Sequence, residues 1–210
     1  MRALRQHLDY IFFKMQALAL LVLGKDAKAL CRFDRMLKLL PADRYALASR
    51  AHVLVQLNRV DESVVNLQKL TSIPGSKLQL GTAWFNLAYV LQQIGRHNEA
   101  SPAFENAVEH CPGMDQAWYG LGMALIRQGR LHEARNALKQ ATILQPMAPH
   151  GWYRLAHVEL ALGAPEEALR VLDHLRRFEP KVGAQLERYI EQYVPESNSQ
   201  KIGLMHVNAR

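Results

Sequence analysis

The sequence predicts an all-α protein built from repeated helix–turn–helix units, and two observations carry that prediction. The first is a period. Trp84, Trp118 and Trp152 stand 34 residues apart, and the same interval relates Leu87, Leu121 and Leu155, then Gly95, Gly129 and Gly163, then Ala100, Ala134 and Ala168, then Pro112, Pro146 and Pro180. Five positions that keep one interval through three copies mark an internal repeat, and an interval of this size is that of a stacked array. The second is the spacing inside a copy. Trp118, Leu121, Gly122 and Leu125 fall at i, i+3, i+4 and i+7, one stripe of a helix. Gly129 follows, where a left-handed cap favours glycine. Ala134, Leu138 and Ala141 form a second stripe, which Pro146 stops. Gly122 and Ala134 are small where two helices must approach closely. No strand signal competes.

Trp, Leu-Gly, Leu, Ala, Leu or Phe, Ala and Pro at these intervals resemble the tetratricopeptide repeat. The resemblance implies a right-handed superhelical solenoid of five tetratricopeptide helix–turn–helix repeats with a C-terminal capping helix. Taken in order, residues 1–9 are an N-terminal extension and the first repeat spans 10–43, with Phe13, Ala17, Leu20, Gly24, Ala29, Phe33 and Pro41 in register. The second, 44–80, has Leu47 in place of tryptophan, then Ala51, Leu54, Ser63 and Leu67. It ends in SIPGSKLQLG, three residues longer than the period requires, so a looser turn is expected there. Repeats three to five span 81–114, 115–148 and 149–182. A capping helix over 183–194 follows, with Leu186, Tyr189, Ile190 and Tyr193 on one face, because a stack leaves the apolar flank of its last helix open. Pro195 ends that helix, and 195–210 forms a mobile tail.

Composition agrees with a folded, neighbour-stabilised array: 49% of the 210 residues are hydrophobic. The net charge is +7, and residues 1–43 carry eight Lys or Arg against four Asp or Glu. Such an excess favours acidic partners, yet no lysine block and no aromatic-plus-basic signature marks a nucleic-acid module. Nucleic acid is not an expected partner. Cys31 and Cys111 fall in different repeats, too far apart for a disulfide, which favours a reducing, cytoplasmic location.

The chain also lacks the spacings of familiar chemistry. There is no CxxC, HExxH or GxSxG. His132–Glu133 lacks the downstream cysteine pair of a zinc deaminase, and Gly120–Gly122 lies inside a helix without the third glycine of a nucleotide loop. Catalysis, a metal and a cofactor are therefore not expected.

Function is expected at a surface. In tetratricopeptide proteins the first helix of each repeat lines a concave groove that receives peptides or helices. The resemblance places Phe85, Tyr89, Tyr119, Met123, Tyr153 and His157 in that groove, edged by Asn86, Gln92, Gln93, Gln116, Arg127, His150 and Arg154. Aromatics and arginines dominate interface energies, so this set is the candidate site of a protein scaffold or adaptor. His150, Arg154 and His157 share one helical face at i, i+4 and i+7, which could hold a carboxylate or phosphate, but histidines on a solvated helix are usually just surface. A dedicated clamp for an acidic C-terminus, as in the co-chaperones of this family, is not matched: only Asn86 and Arg154 have the right types, and Gly120 between them has no side chain.

The segment YIFFKMQALALLVLG, residues 10–24, is apolar on nearly every side. A signal peptide or a membrane anchor in residues 1–23 is one reading. The repeat register through it favours a structural helix, since cleavage would delete half a repeat. A helix apolar all round is normally buried all round. Ile11, Leu18, Leu21 and Val22 are therefore expected to be left over by the repeat and to mediate self-association as a homodimer.

Overall fold

The computed structural model describes residues 2–193; the expected helix stop at Pro195 and the tail 195–210 lie outside them. Among the described residues there are eleven α-helices and no strand. They are α1 (Arg2–Val22), α2 (Asp26–Leu39), α3 (Arg44–Gln56), α4 (Val60–Ser72), α5 (Lys77–Gln93), α6 (His97–His110), α7 (Asp115–Arg127), α8 (Leu131–Leu144), α9 (Pro149–Ala161), α10 (Pro165–Phe178) and α11 (Pro180–Tyr193). The chain forms two compact units, Met1–Cys111 and Pro112–Arg210. In the first, each of α1 to α5 packs on the helix that follows it; in the second, α7 to α10 do the same, and α11 also touches α9.

The turn inside each helix pair is fixed by one left-handed residue: Gly24, Asn58, Gly95, Gly129 and Gly163, with φ between 57° and 76°. Each turn is closed in the same way. Gly129 N–H donates to the Ile126 carbonyl and Arg130 N–H to the Leu125 carbonyl, and the equivalent pairs recur at Gly24, Asn58, Gly95 and Gly163. This is the Schellman pattern, in which a residue without a left-handed penalty satisfies the last carbonyls of a helix. Asn58 stands where the other turns have glycine, and asparagine is among the few other residues that enter this region readily. After three of these turns an arginine forks onto a glutamate of the next helix, as Arg59–Glu62, Arg96–Glu99 and Arg130–Glu133. Those hydrogen bonds hold the three carboxyls below the usual glutamate range, although such exposed pairs add little stability.

Small residues set the spacing between paired helices. A Cβ on Gly122 would sit 2.7 Å from Leu138 Cγ, so α7 and α8 can close only over glycine. In the first pair Ala17 and Ala29 are wholly buried beside Phe33 and Met36. Two buried polar side chains of the α3–α4 pair are hydrogen-bonded: the Ser63 hydroxyl donates to the Ala51 carbonyl and Asn66 Nδ2 to that of Leu47. Two of the prolines that follow even-numbered helices, Pro112 and Pro146, also accept hydrogen bonds. Trp118 Nε1 donates to the Pro112 carbonyl and Trp152 Nε1 to that of Pro146, both at 2.8 Å. Trp118 and Trp152 thereby staple the preceding loop to their helices.

Two segments depart from the sequence-based expectation. The three extra residues do not loosen the turn after α4. Four residues separate α4 from α5, as four separate α2 from α3, and the addition lengthens α5 to 17 residues against 13 in α3, α7 and α9. Ser76 and Gln79 supply the reason, a capping box in which Gln79 N–H donates to Ser76 Oγ and Ser76 N–H to Gln79 Oε1. Arg44 then ties the loop down by donating to the Ile73 and Gln79 carbonyls. The second departure is at the start. Helix α1 begins at Arg2, so residues expected as an extension are its first two turns, and Gln6 Nε2 donates to the Leu39 carbonyl. At the other end α11 begins at Pro180, three residues before the expected cap, and buries Leu186 and Ile190 completely.

Candidate partner-binding surface

In the second unit the candidate residues lie on α7 and α9. Tyr119, Met123, Tyr153 and His157 are half-buried, while Gln116, Arg127, His150 and Arg154 are exposed. The Tyr153 and His157 rings meet at 4.5 Å, His157 stacks on Tyr189 of α11 at 3.8 Å, and Tyr189 stacks on Tyr193 at 6.1 Å. The result is a four-ring stack running from α9 along α11, with its last member half open to solvent.

That stack changes the role open to His157. Burial, reinforced by the nearby Arg154 guanidinium, pushes its pKa below the usual histidine range, and its Nε2 is buried without a hydrogen-bond partner. His157 is thus a neutral ring at pH 7, held face to face with tyrosine, and brings no positive charge to an anion. The trio expected from the i, i+4, i+7 spacing is not brought together as one cationic cradle. His150 and Arg154 remain as its exposed members.

In the first unit Phe85 lies 6.3 Å from Tyr89 and 6.1 Å from the buried Phe104 of α6. Phe85 therefore belongs partly to the core, and Tyr89, half exposed, is the accessible ring. Gln92 is half-buried and Gln93 exposed. Asn86 lines a cleft of about 360 Å³ together with Tyr45, Ala48, Leu78 and Thr82. Sequence reasoning missed Tyr45 and Thr82, although the repeat register contains them. Thr82, Gln116 and His150 stand 34 residues apart, and Tyr45 is the second residue of α3 as Gln116 is of α7 and His150 of α9. Tyr189 was missed for another reason: it was assigned to cap packing, and no period connects it to α9.

A second cleft, of about 400 Å³, lies among α8, α9 and α10, lined by Lys139, Trp152, Glu159, Val171 and His174. Glu159 is 2% exposed, with Lys139 Nζ at 3.5 Å and Arg135 Nη1 at 3.9 Å. Trp152 covers one wall and meets the His174 ring at 4.3 Å, tilted against it. Sequence spacing gave no sign of this carboxylate, since no repeated position holds an acid there. Among the described residues no group of three or more potential ligands could hold a metal ion, and no helix is long and apolar enough to cross a membrane.

The family described as the cilia and flagella-associated protein 70 C-terminal domain matches residues 2–201. The chain belongs to that family. Among solved structures, this family member is similar to YrrB, described as a TPR protein with an unusual peptide-binding site, at 21% identity and a TM-score of 0.72 over 89% of this chain and 96% of that one. It is also similar to the MamA protein, at 16% identity and a TM-score of 0.74 over 82% and 93% of the two chains. MamA residues 41 to the end from Desulfovibrio magneticus RS-1 give 19% identity and 0.70 over 87% and 97%. Likeness at these identities concerns the fold, which is that of the tetratricopeptide repeat. No curated protein matches the sequence.

Proposed function

We propose that this member of the cilia and flagella-associated protein 70 C-terminal domain family is a non-catalytic interaction scaffold of the cytoplasm. It holds a peptide or helix of a partner protein against its odd-numbered helices. The observation that carries the reading is the stack Tyr153–His157–Tyr189–Tyr193, apolar rings left half open beside the exposed Arg154 and His150. Rings that are already ordered lose little side-chain freedom on binding, which is why aromatic anchors return more affinity than flexible side chains. Tetratricopeptide folds serve protein interaction as a class, and YrrB carries a peptide site on a similar fold. The two free cysteines agree with a reducing compartment.

The reading is tested by affinity capture with the full chain followed by mass spectrometry, comparing it with a Tyr153→Ala, Tyr193→Ala double variant. Loss of about 1 to 2 kcal/mol for each aromatic anchor would deplete the specific partner at least tenfold. The circular dichroism spectrum should stay unchanged. Equal recovery of the same partner by both proteins would place binding elsewhere.

A further inference from the structure

Helix α1 has two apolar sides, and its own repeat uses only one. Ala17 is wholly buried, and Tyr10, Phe13, Leu20 and Leu21 pack beside it on the cluster built around Ala29, Phe33 and Leu54. Leu21 was expected among the residues left over; it is half-buried and belongs to this inner side. On the opposite side Leu4, Leu8, Ile11, Met15, Leu18 and Val22 are between 39% and 88% exposed, with Phe12 next to them.

Their spacing is informative. Successive members of the outer stripe are separated by four, three, four, three and four residues. This is the alternation of a coiled-coil seam, in which residues facing a partner helix recur every 3.5 positions. No polar residue interrupts the seam. At roughly 180 Å² per side chain, the exposures of these seven residues, Phe12 included, amount to about 700 Å² of apolar surface, above the ~300–600 Å² usual for the largest patch of a monomer. It is close to the ~800 Å² that each partner gives to a stable complex.

The stripe is also symmetric about Phe13. Leu4 and Val22, Leu8 and Leu18, and Ile11 and Met15 are pairwise equidistant from it. In two antiparallel copies related by a two-fold axis at that point, each seam residue meets its equidistant mate on the other copy. Every layer is then apolar on both sides. Phe12 would meet Phe12 of the second copy on one flank of the axis and Lys14 would meet Lys14 on the other. That clash is already relieved, because the Lys14 ammonium lies over the Tyr45 ring, 4.3 Å from its centre. Parallel pairing would set Arg5 and His7 of one copy beside those of the other, whereas antiparallel pairing places them near the uncharged stretch from Leu18 to Leu23.

We propose that the outer face of α1 is a homodimer interface formed by antiparallel pairing with α1 of a second copy of this chain. The full chain should sediment as a dimer at micromolar concentration. Leu8→Glu with Leu18→Glu should weaken the dimer at least a hundredfold and leave the circular dichroism spectrum unchanged. Orientation is read with Cys31 and Cys111 replaced by serine. A Leu8→Cys protein mixed with a Leu18→Cys protein should cross-link to it under oxidation, while neither cross-links to itself. Self-cross-linking of each protein alone would overturn the antiparallel arrangement. A monomeric chain at high micromolar concentration would overturn the dimer, as would a dimer indifferent to the glutamate substitutions. Both results would mean that a different protein segment covers the seam.

Discussion

The first and last described helices are built on opposite principles. Helix α11 has one apolar stripe, with Leu186 and Ile190 fully buried, and it turns Lys181, Gln185, Arg188 and Glu191 to solvent. Gly183 lets it come close, since a Cβ there would sit 3.2 Å from the Arg176 backbone nitrogen. Arg176 in turn pairs with Glu187. Helix α1 buries an equivalent inner stripe but turns leucines, isoleucine, phenylalanine and methionine outward. A helix that merely closes a repeat array needs one apolar side and gains nothing from a second. The difference therefore separates a helix that ends a packing surface from one that offers another.

The comparison is broken most severely by removing buried atoms. Leu186→Ala should cost about 2–5 kcal/mol, the usual range for emptying a fully buried leucine site. Leu8→Ala on the outer face of α1 should cost the folded monomer less than about 0.5 kcal/mol, as exposed positions do. Urea titrations of dilute protein measure both. A comparable cost at Leu8 would mean that the outer stripe already packs within its own chain.

A smaller effect concerns the turns that both halves of the chain share. Gly129→Ala forces a Cβ into a left-handed position and should destabilise by about 1 kcal/mol. At Asn58 the same conformation is already borne by a residue with a side chain, so Asn58→Gly should change stability by only a few tenths of a kcal/mol. Thermal melts of the two variants distinguish the positions. Equal losses would show that the turn at Asn58 is held by more than its backbone angle.

Much of this architecture was legible because repetition multiplies weak signals. Gly129 alone is a turn residue; with Gly95 and Gly163 at the same interval it fixes helix ends throughout three repeats. Asn58 and the lengthened α5 were less visible for the same reason, since a unique residue or insertion has no second copy to confirm it. The capping pair Ser76 and Gln79 was present in the sequence, yet its effect was to turn apparent loop into helix. The candidate surface was legible by register on α7 and α9 but not where α11 joins it. His157 shows the limit most clearly: helical spacing grouped it with two cationic neighbours, and the ring it meets, Tyr189, comes from a helix outside the period.

The same ring makes the attachment of α11 sensitive to acid in a way that α1 is not. His157 has its pKa depressed by burial first and by Arg154 second, so the folded state resists protonation more than the unfolded chain does. Below the ordinary histidine pKa, about 6.5, the unfolded chain takes up a proton that the folded stack does not. Stability then rises with pH across that window and falls as pH drops from about 6.5 towards the depressed value. Charging the imidazole would strand a cation against Tyr153 and Tyr189, next to a guanidinium, with no acceptor for its buried Nε2. Tyr189 and Tyr193 should therefore loosen before the rest of the second unit. Nuclear magnetic resonance of the His157 ring protons, followed between pH 7.5 and 5, should show its midpoint below the ordinary histidine value of about 6.5. In His157→Gln the acid-induced loss should shrink. A midpoint for His157 at or above about 6.5 would mean that the stack is open to water and does not hold the helix.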